Sequence, residues 1–180
     1  MTYSRILVDT NICIDAAIVR KPFADTALKI INLSDSGEIE VKISAHSLDT
    51  IFYVLRKELS ISKRYALIEE LRSVFGVAPV TERIIDRALK LRWKDFEDAI
   101  HYHAALASDC DAIVTRNRSD FQESELPVLS PIQFLEAHVS EKNKNPAVFH
   151  SRVQNLLLQI SGQLWLIFVP STSKNSASHF

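Results

Sequence analysis

The chain has 180 residues, enough for one full hydrophobic core and short for two domains. Apolar residues make up 47% and charged residues 24%, ordinary for a globular protein. A formal net charge of -1 disfavours a protein held to nucleic acid mainly by phosphate contacts, but leaves a nuclease open. With three glycines and no GxGxxG or Walker pattern, glycine-rich phosphate loops are excluded.

The two cysteines, Cys13 and Cys110, form no CxxC and read as free thiols in a reducing compartment. The start lacks a basic-then-apolar leader pattern, and no run reaches the roughly 18 apolar residues that cross a bilayer. The expectation is a cytoplasmic protein with no membrane partner.

In chain order, Arg5-Ile6-Leu7-Val8 is a buried strand that delivers Asp9 to its carboxyl end, where open α/β sheets place their chemistry. Thr10 or Asn11 then caps a short helix with Ile12, Ala16 and Val19 on its apolar face. Asp15 on that helix either lies near the site or caps or faces solvent. Pro22 to Leu33 reads as a second helix, with Pro22 at its first position and Ser34 to Gly37 ending it. Ile39, Val41 and Ile43 alternate with polar residues as a half-buried strand. Ser44 caps a helix that reaches Lys57; Asp49 within it is either solvated or turned toward a metal. A helix over Ser62–Val74, a strand over Phe75–Val80 and a helix over Thr81–Leu91 follow. Arg83, Arg87 and Lys90 share a face of the last one, as a solvated surface or a track for a nucleic-acid backbone.

Trp93 to Ala107 carries the first half of the expected chemistry. The spacing places Phe96, Ala99, Ile100, His103, Ala104 and Ala107 on a narrow helix face. Asp95 and Asp98 should project together from the first turn, whose positive end favours carboxylates. Asp111 to Thr115 is a second apolar strand, delivering Thr115, Asn117 and Asp120 just past its end. A short strand over Pro127–Leu129 and a helix over Pro131–Val139 complete a domain expected to span residues 1–139. Residues 140–180 form a C-terminal extension, a polar linker followed by an apolar segment with Leu156, Leu157, Ile160, Leu164 and Ile167.

Carboxylates brought close together raise one another's pKa and call for a cation. Asp9, Asp98 and Asp120, with Asp49 as a further candidate, would offer oxygen ligands only, which select Mg²⁺ or Mn²⁺ over zinc. The bland alternative is that these acids sit apart and cap helices.

Three blocks together resemble the PIN domain family, particularly its small prokaryotic VapC-type members: Ile6-Leu7-Val8-Asp9-Thr10-Asn11, Asp95-Phe96-Glu97-Asp98-Ala99 and Ile113-Val114-Thr115-Arg116-Asn117-Arg118-Ser119-Asp120-Phe121. The resemblance covers about residues 5 to 138. It implies a three-layer α/β/α sandwich around a mostly parallel sheet and a Mg²⁺- or Mn²⁺-dependent endoribonuclease. It also implies the toxin of a toxin–antitoxin pair, with an RNA substrate, a cognate antitoxin and a homodimer. It makes Asp9, Asp49, Asp95, Asp98 and Asp120 the catalytic candidates and Asp9, Asp98, Asp120 and Asn117 the metal ligands. Thr115 and Arg116 would lie near the substrate. Asp49 stands where the family usually has a glutamate, and Asn117 where it commonly has an acid, with Asp120 three residues on as its substitute. Those departures motivate the alternative of a weakly active or inactive RNA-binding or protein-interaction module.

Overall fold

The computed structural model describes residues 3–121 and 123–141. Five parallel strands, β1 (Arg5–Val8), β2 (Glu40–Ser44), β3 (Gly76–Ala78), β4 (Ala112–Val114) and β5 (Val128–Leu129), lie in the order β3-β2-β1-β4-β5. Val8 is in register with Ile43 on one side and Val114 on the other. The chain order reverses between β1 and β4, so the crevice beyond their carboxyl ends is the switch point at which such sheets bind ligands.

Alternation along the strands sorts the core into two layers. Ile6, Val8, Val41, Ile43, Ala112 and Val114 pack with α1 (Thr10–Ala17), α2 (Ala24–Asp35), α3 (Ala45–Val54), α4 (Ile61–Val74) and α7 (Pro131–Glu141). Leu7, Ala78 and Ile113 pack with α5 (Glu82–Leu91) and α6 (Phe96–Ala107) on the opposite face. This is the three-layer α/β/α arrangement expected from sequence. Because both faces are covered, Ile6, Leu7 and Val8 are all fully buried, and the strand reads as an unbroken apolar run.

The element ends depart from the sequence reading for identifiable reasons. Pro22 does not start α2; the chain turns first, and the helix runs from Ala24 to Asp35, with Gly37 at φ +72° just beyond it. Val19 lies past the end of α1 at φ 50°, not on its apolar face. The helix expected over 44–57 closes at Val54 and tightens into a 3₁₀ turn over Leu55–Lys57. In α6 the expected face is wrong at both ends, since Phe96 and Ala107 are exposed. Asp98, His101, Tyr102 and Ala105 are buried instead, because this helix is wedged between the sheet and α5 and has more than one inward side. Asp95 and Asp98 accordingly differ in burial: Asp95 is an exposed cap and Asp98 is buried. Ile132 is exposed on α7, whereas Phe134 is fully buried. Helix α7 runs on to Glu141, two residues past the expected domain boundary, and the rest of the C-terminal extension lies outside the described residues. Among the described residues, no helix is long and apolar enough to cross a membrane.

Candidate metal centre

Asp9 continues the alternation of β1, so its side chain turns to the Leu7 side of the sheet, toward α6. Its backbone N–H donates to the Val114 carbonyl at 3.0 Å, tying it to the end of β4. Its carboxylate is asymmetrically occupied. Thr115 Oγ1 donates to Asp9 Oδ2 at 2.6 Å, and Asn11 Nδ2 donates to the same oxygen. Thr115 is held in turn by the Asn117 backbone N–H at 2.9 Å. Asp9 Oδ1 instead lies 3.7 Å from Nδ1 of His101. Burial pushes the Asp9 carboxyl above its ordinary value, against the bonds from Thr115, Asn11 and Thr10.

Helix α6 supplies the opposing groups. Asp98 lies in its first turn and His101 three residues on, so the two share a side of the helix. Asp98 is only 8% exposed. Burial, reinforced by the negative charges of Asp9, Asp95, Asp120 and Glu97, pushes its carboxyl up to about 8. His101 is completely buried, and that burial pushes its imidazole down to about 4, leaving it neutral at pH 7. Its Nε2 is 3.1 Å from Ser47 Oγ, while Nδ1 has no hydrogen-bond partner.

One ligand atom each from Asp9, Asp98 and His101 lies within 4.8 Å of the others. Two atoms bound to one ion at about 2.1 Å can be no more than about 4.2 Å apart. Three atoms sharing one ion sit closer still, about 3.0–3.6 Å apart, so the cluster would draw in by up to roughly 1–2 Å around a divalent cation. Repelling buried carboxylates and an orphaned imidazole nitrogen fit such an ion.

The other residues singled out from sequence are arranged around this cluster. Asp120 is exposed on the 3₁₀ turn Arg118–Phe121, close enough for its charge to raise Asp98 but outside the three-residue group. It lines a cleft of about 420 Å³ with Arg92, Trp93, Lys94, Ser119 and Glu123. Asn117 is exposed, and its backbone amide buttresses Thr115. Asp49 is exposed on α3. Asp95 caps α6 by accepting the Glu97 backbone N–H at 2.8 Å. Arg116 is paired through Nε with the buried Asp15 at 3.0 Å and sits over the Phe23 ring at 4.5 Å.

His101 is the group that sequence reasoning passed over. A histidine on an apolar helix resembles ordinary core. Its spacing from Asp98 was the available signal, and it became legible once burial fixed which side of α6 faces the strand ends.

Fold and centre together define a parallel α/β/α protein with a metal-type cluster at its switch point. Residues 5–119 match the PIN domain, and the chain belongs to that family. Among solved structures, 25 chains match. The fold is similar to that of VapBC2 from Rickettsia felis bound to a DNA fragment from its promoter, with TM-score 0.56 and 17% identity over 70% of this chain and 98% of that one. A toxin–antitoxin complex from Klebsiella pneumoniae matches with TM-score 0.51 and 25% identity, over 70% and 97% of the two chains. The sarcin–ricin-loop-cleaving VapC toxin of Mycobacterium tuberculosis matches with TM-score 0.50 and 20% identity, over 60% and 86%. No curated protein sequence matches.

Proposed function

We propose that this chain is a divalent-metal-dependent endoribonuclease that hydrolyses RNA phosphodiesters and acts as the toxin of a toxin–antitoxin pair, with Mg²⁺ or Mn²⁺ as its cofactor. The observation that carries the reading is the buried convergence of Asp9, Asp98 and His101 within 4.8 Å at the switch point. Asp9 and Asp98 would hold the ion. When bound, such a cation acidifies an attacking water and offsets the charge that grows on the phosphoryl oxygens. Thr115 and Asn11 hold Asp9 by one oxygen and leave Oδ1 turned to the cluster. Asp120, at the rim, is the candidate to complete the coordination or place water, with Asn117 beside it. Asp49 and Asp95, both exposed, would act only at the substrate's approach. Arg116 would meet phosphate only with the part of its guanidinium that Asp15 leaves over. The exposed Arg83, Arg87 and Lys90 of α5 offer a second basic surface for an RNA backbone.

The toxin–antitoxin assemblies among the fold's relatives support a cognate antitoxin; a homodimer and a cytoplasmic setting are parts of the same proposal. The sarcin–ricin-loop cleavage named for the mycobacterial relative supports RNA as the substrate. The test is cleavage of single-stranded RNA and DNA with Mn²⁺ or Mg²⁺. Wild type should cut RNA in preference to DNA, and Asp9→Asn, still folded, should lose at least about 100-fold in rate. Equal cleavage by the variant would refute the reading. The exposed Asp49 and the amide at Asn117 favour one rival, a PIN-fold module without catalysis. That rival predicts RNA binding with no metal-dependent cleavage in the wild type.

A further inference from the structure

A chain of side chains leads away from His101, and its bearing on the metal rests on the nuclease reading. Thr10 Oγ1 is 3.0 Å from Glu97 Oε1 and 2.9 Å from Ser47 Oγ, and Ser47 Oγ is 3.1 Å from His101 Nε2. Thr10, Ser47 and His101 are buried, so these groups have to satisfy one another. A carboxylate can only accept, and each hydroxyl has one proton to give. All three contacts are hydrogen bonds at once only if Thr10 donates to Glu97, Ser47 donates to Thr10, and Ser47 in turn accepts from His101 Nε2–H. The opposite polarity leaves the Thr10 and Glu97 oxygens 3.0 Å apart with no proton between them. With the proton on Nε2, Nδ1 carries a bare lone pair. It is buried, has no partner, and lies 3.7 Å from Asp9 Oδ1.

We propose that His101 Nδ1 is a nitrogen ligand of the centre, held in that tautomer by the Glu97–Thr10–Ser47 chain, and that it biases the site toward Mn²⁺ over Mg²⁺. Both ions take oxygen ligands, but Mn²⁺, a first-row transition ion although the weakest binder of its series, accepts an imidazole more readily than Mg²⁺. One nitrogen among the carboxylates therefore shifts the preference that the acids by themselves would set. Ser47 and Thr10 are positioning residues in this scheme: they act on the ion only through the ring they orient. The oxygen-only ligand set expected from sequence gives way to a mixed one.

The experiment is pulsed electron paramagnetic resonance on the full chain titrated with Mn²⁺, alongside calorimetry with Mn²⁺ and with Mg²⁺. The expected result is nitrogen coupling from one directly bound imidazole, retained in His46→Gln and lost in His101→Gln. Mn²⁺ should bind more tightly than Mg²⁺, and His101→Gln should narrow that gap. Ser47→Ala should weaken Mn²⁺ binding by roughly 10-fold, the usual effect of removing a group that orients a ligating histidine. Nitrogen-15 spectra of the metal-free wild type should show His101 protonated at Nε2, which keeps the test decisive if His101→Gln fails to fold. Bound Mn²⁺ with no nitrogen coupling, or a ring protonated at Nδ1, overturns the inference while leaving metal-dependent RNA cleavage standing. Absence of both Mn²⁺ binding and cleavage overturns the two together.

Discussion

Asp98 carries its ionisable carboxyl where the surroundings resist a negative charge, next to Asp9 and out of water. Such an arrangement trades stability for function, because a neutral side chain of the same shape fits the metal-free site better. In chelator at pH 8, Asp98→Asn should unfold at a higher temperature than wild type, and it should lose the further gain that wild type shows on adding Mn²⁺. Thermal denaturation of both proteins with and without Mn²⁺ checks this; a lower Tm for the metal-free variant would contradict it. The two aspartates could be recognised from sequence by place alone, one ending an apolar strand and one opening a helix. His101 could not, since a ligating imidazole and a core imidazole have the same local pattern. Asp95 and Asp98 look equivalent in sequence, and only the packing of α6 separates a cap from a buried acid.

At the scale of elements, two carboxylate joints, one hydrogen-bonded and one an ion pair, flank the centre. Asp111, just before β4, accepts the Ser4 and Arg5 backbone N–H groups, each at 2.8 Å, and the Ser4 hydroxyl at 3.0 Å. Burial pushes its carboxyl up, but these hydrogen bonds prevail and hold it below the ordinary value. A depressed acid adds stability above its unfolded value of 3.8 and loses it as pH falls through the folded one. Asp111→Ala should therefore cost about 1 kcal/mol near neutral pH, and the gap to wild type should narrow as the pH falls below 3.8 in denaturant titrations. On the other joint, Arg116→Ala strands the buried Asp15 carboxylate. The cost should be roughly 3 kcal/mol, the low end for a broken buried pair, because Arg20 remains 3.6 Å from Asp15. An Asp15→Asn background should recover much of that loss, and a variant indistinguishable from wild type would show that the pair does not matter. Helices and strands were legible through their apolar periodicity. Their ends were less so, because Pro22 and Val19 answer to turn geometry that hydrophobic spacing does not encode.

For the whole molecule, the decisive fact is the strand order β3-β2-β1-β4-β5. It sets Asp9 and Thr115 on neighbouring strand ends although 106 residues separate them in the chain. The same parity that sends Leu7 and Ile113 to the α5–α6 layer sends Asp9 toward that layer, so α6 can meet it with Asp98 and His101. This much of the architecture followed from the two apolar strands and their trailing polar residues. The place of His101 beside the two acids did not, because it depends on how α6 is rotated between the sheet and α5. A crystal soaked in Mn²⁺ and measured at an energy where manganese scatters anomalously tests the centre most directly. A single strong peak about 2.0–2.3 Å from carboxylate oxygens of both Asp9 and Asp98 is the expected result. A peak elsewhere, or none at a Mn²⁺ concentration that supports RNA cleavage, would contradict the account.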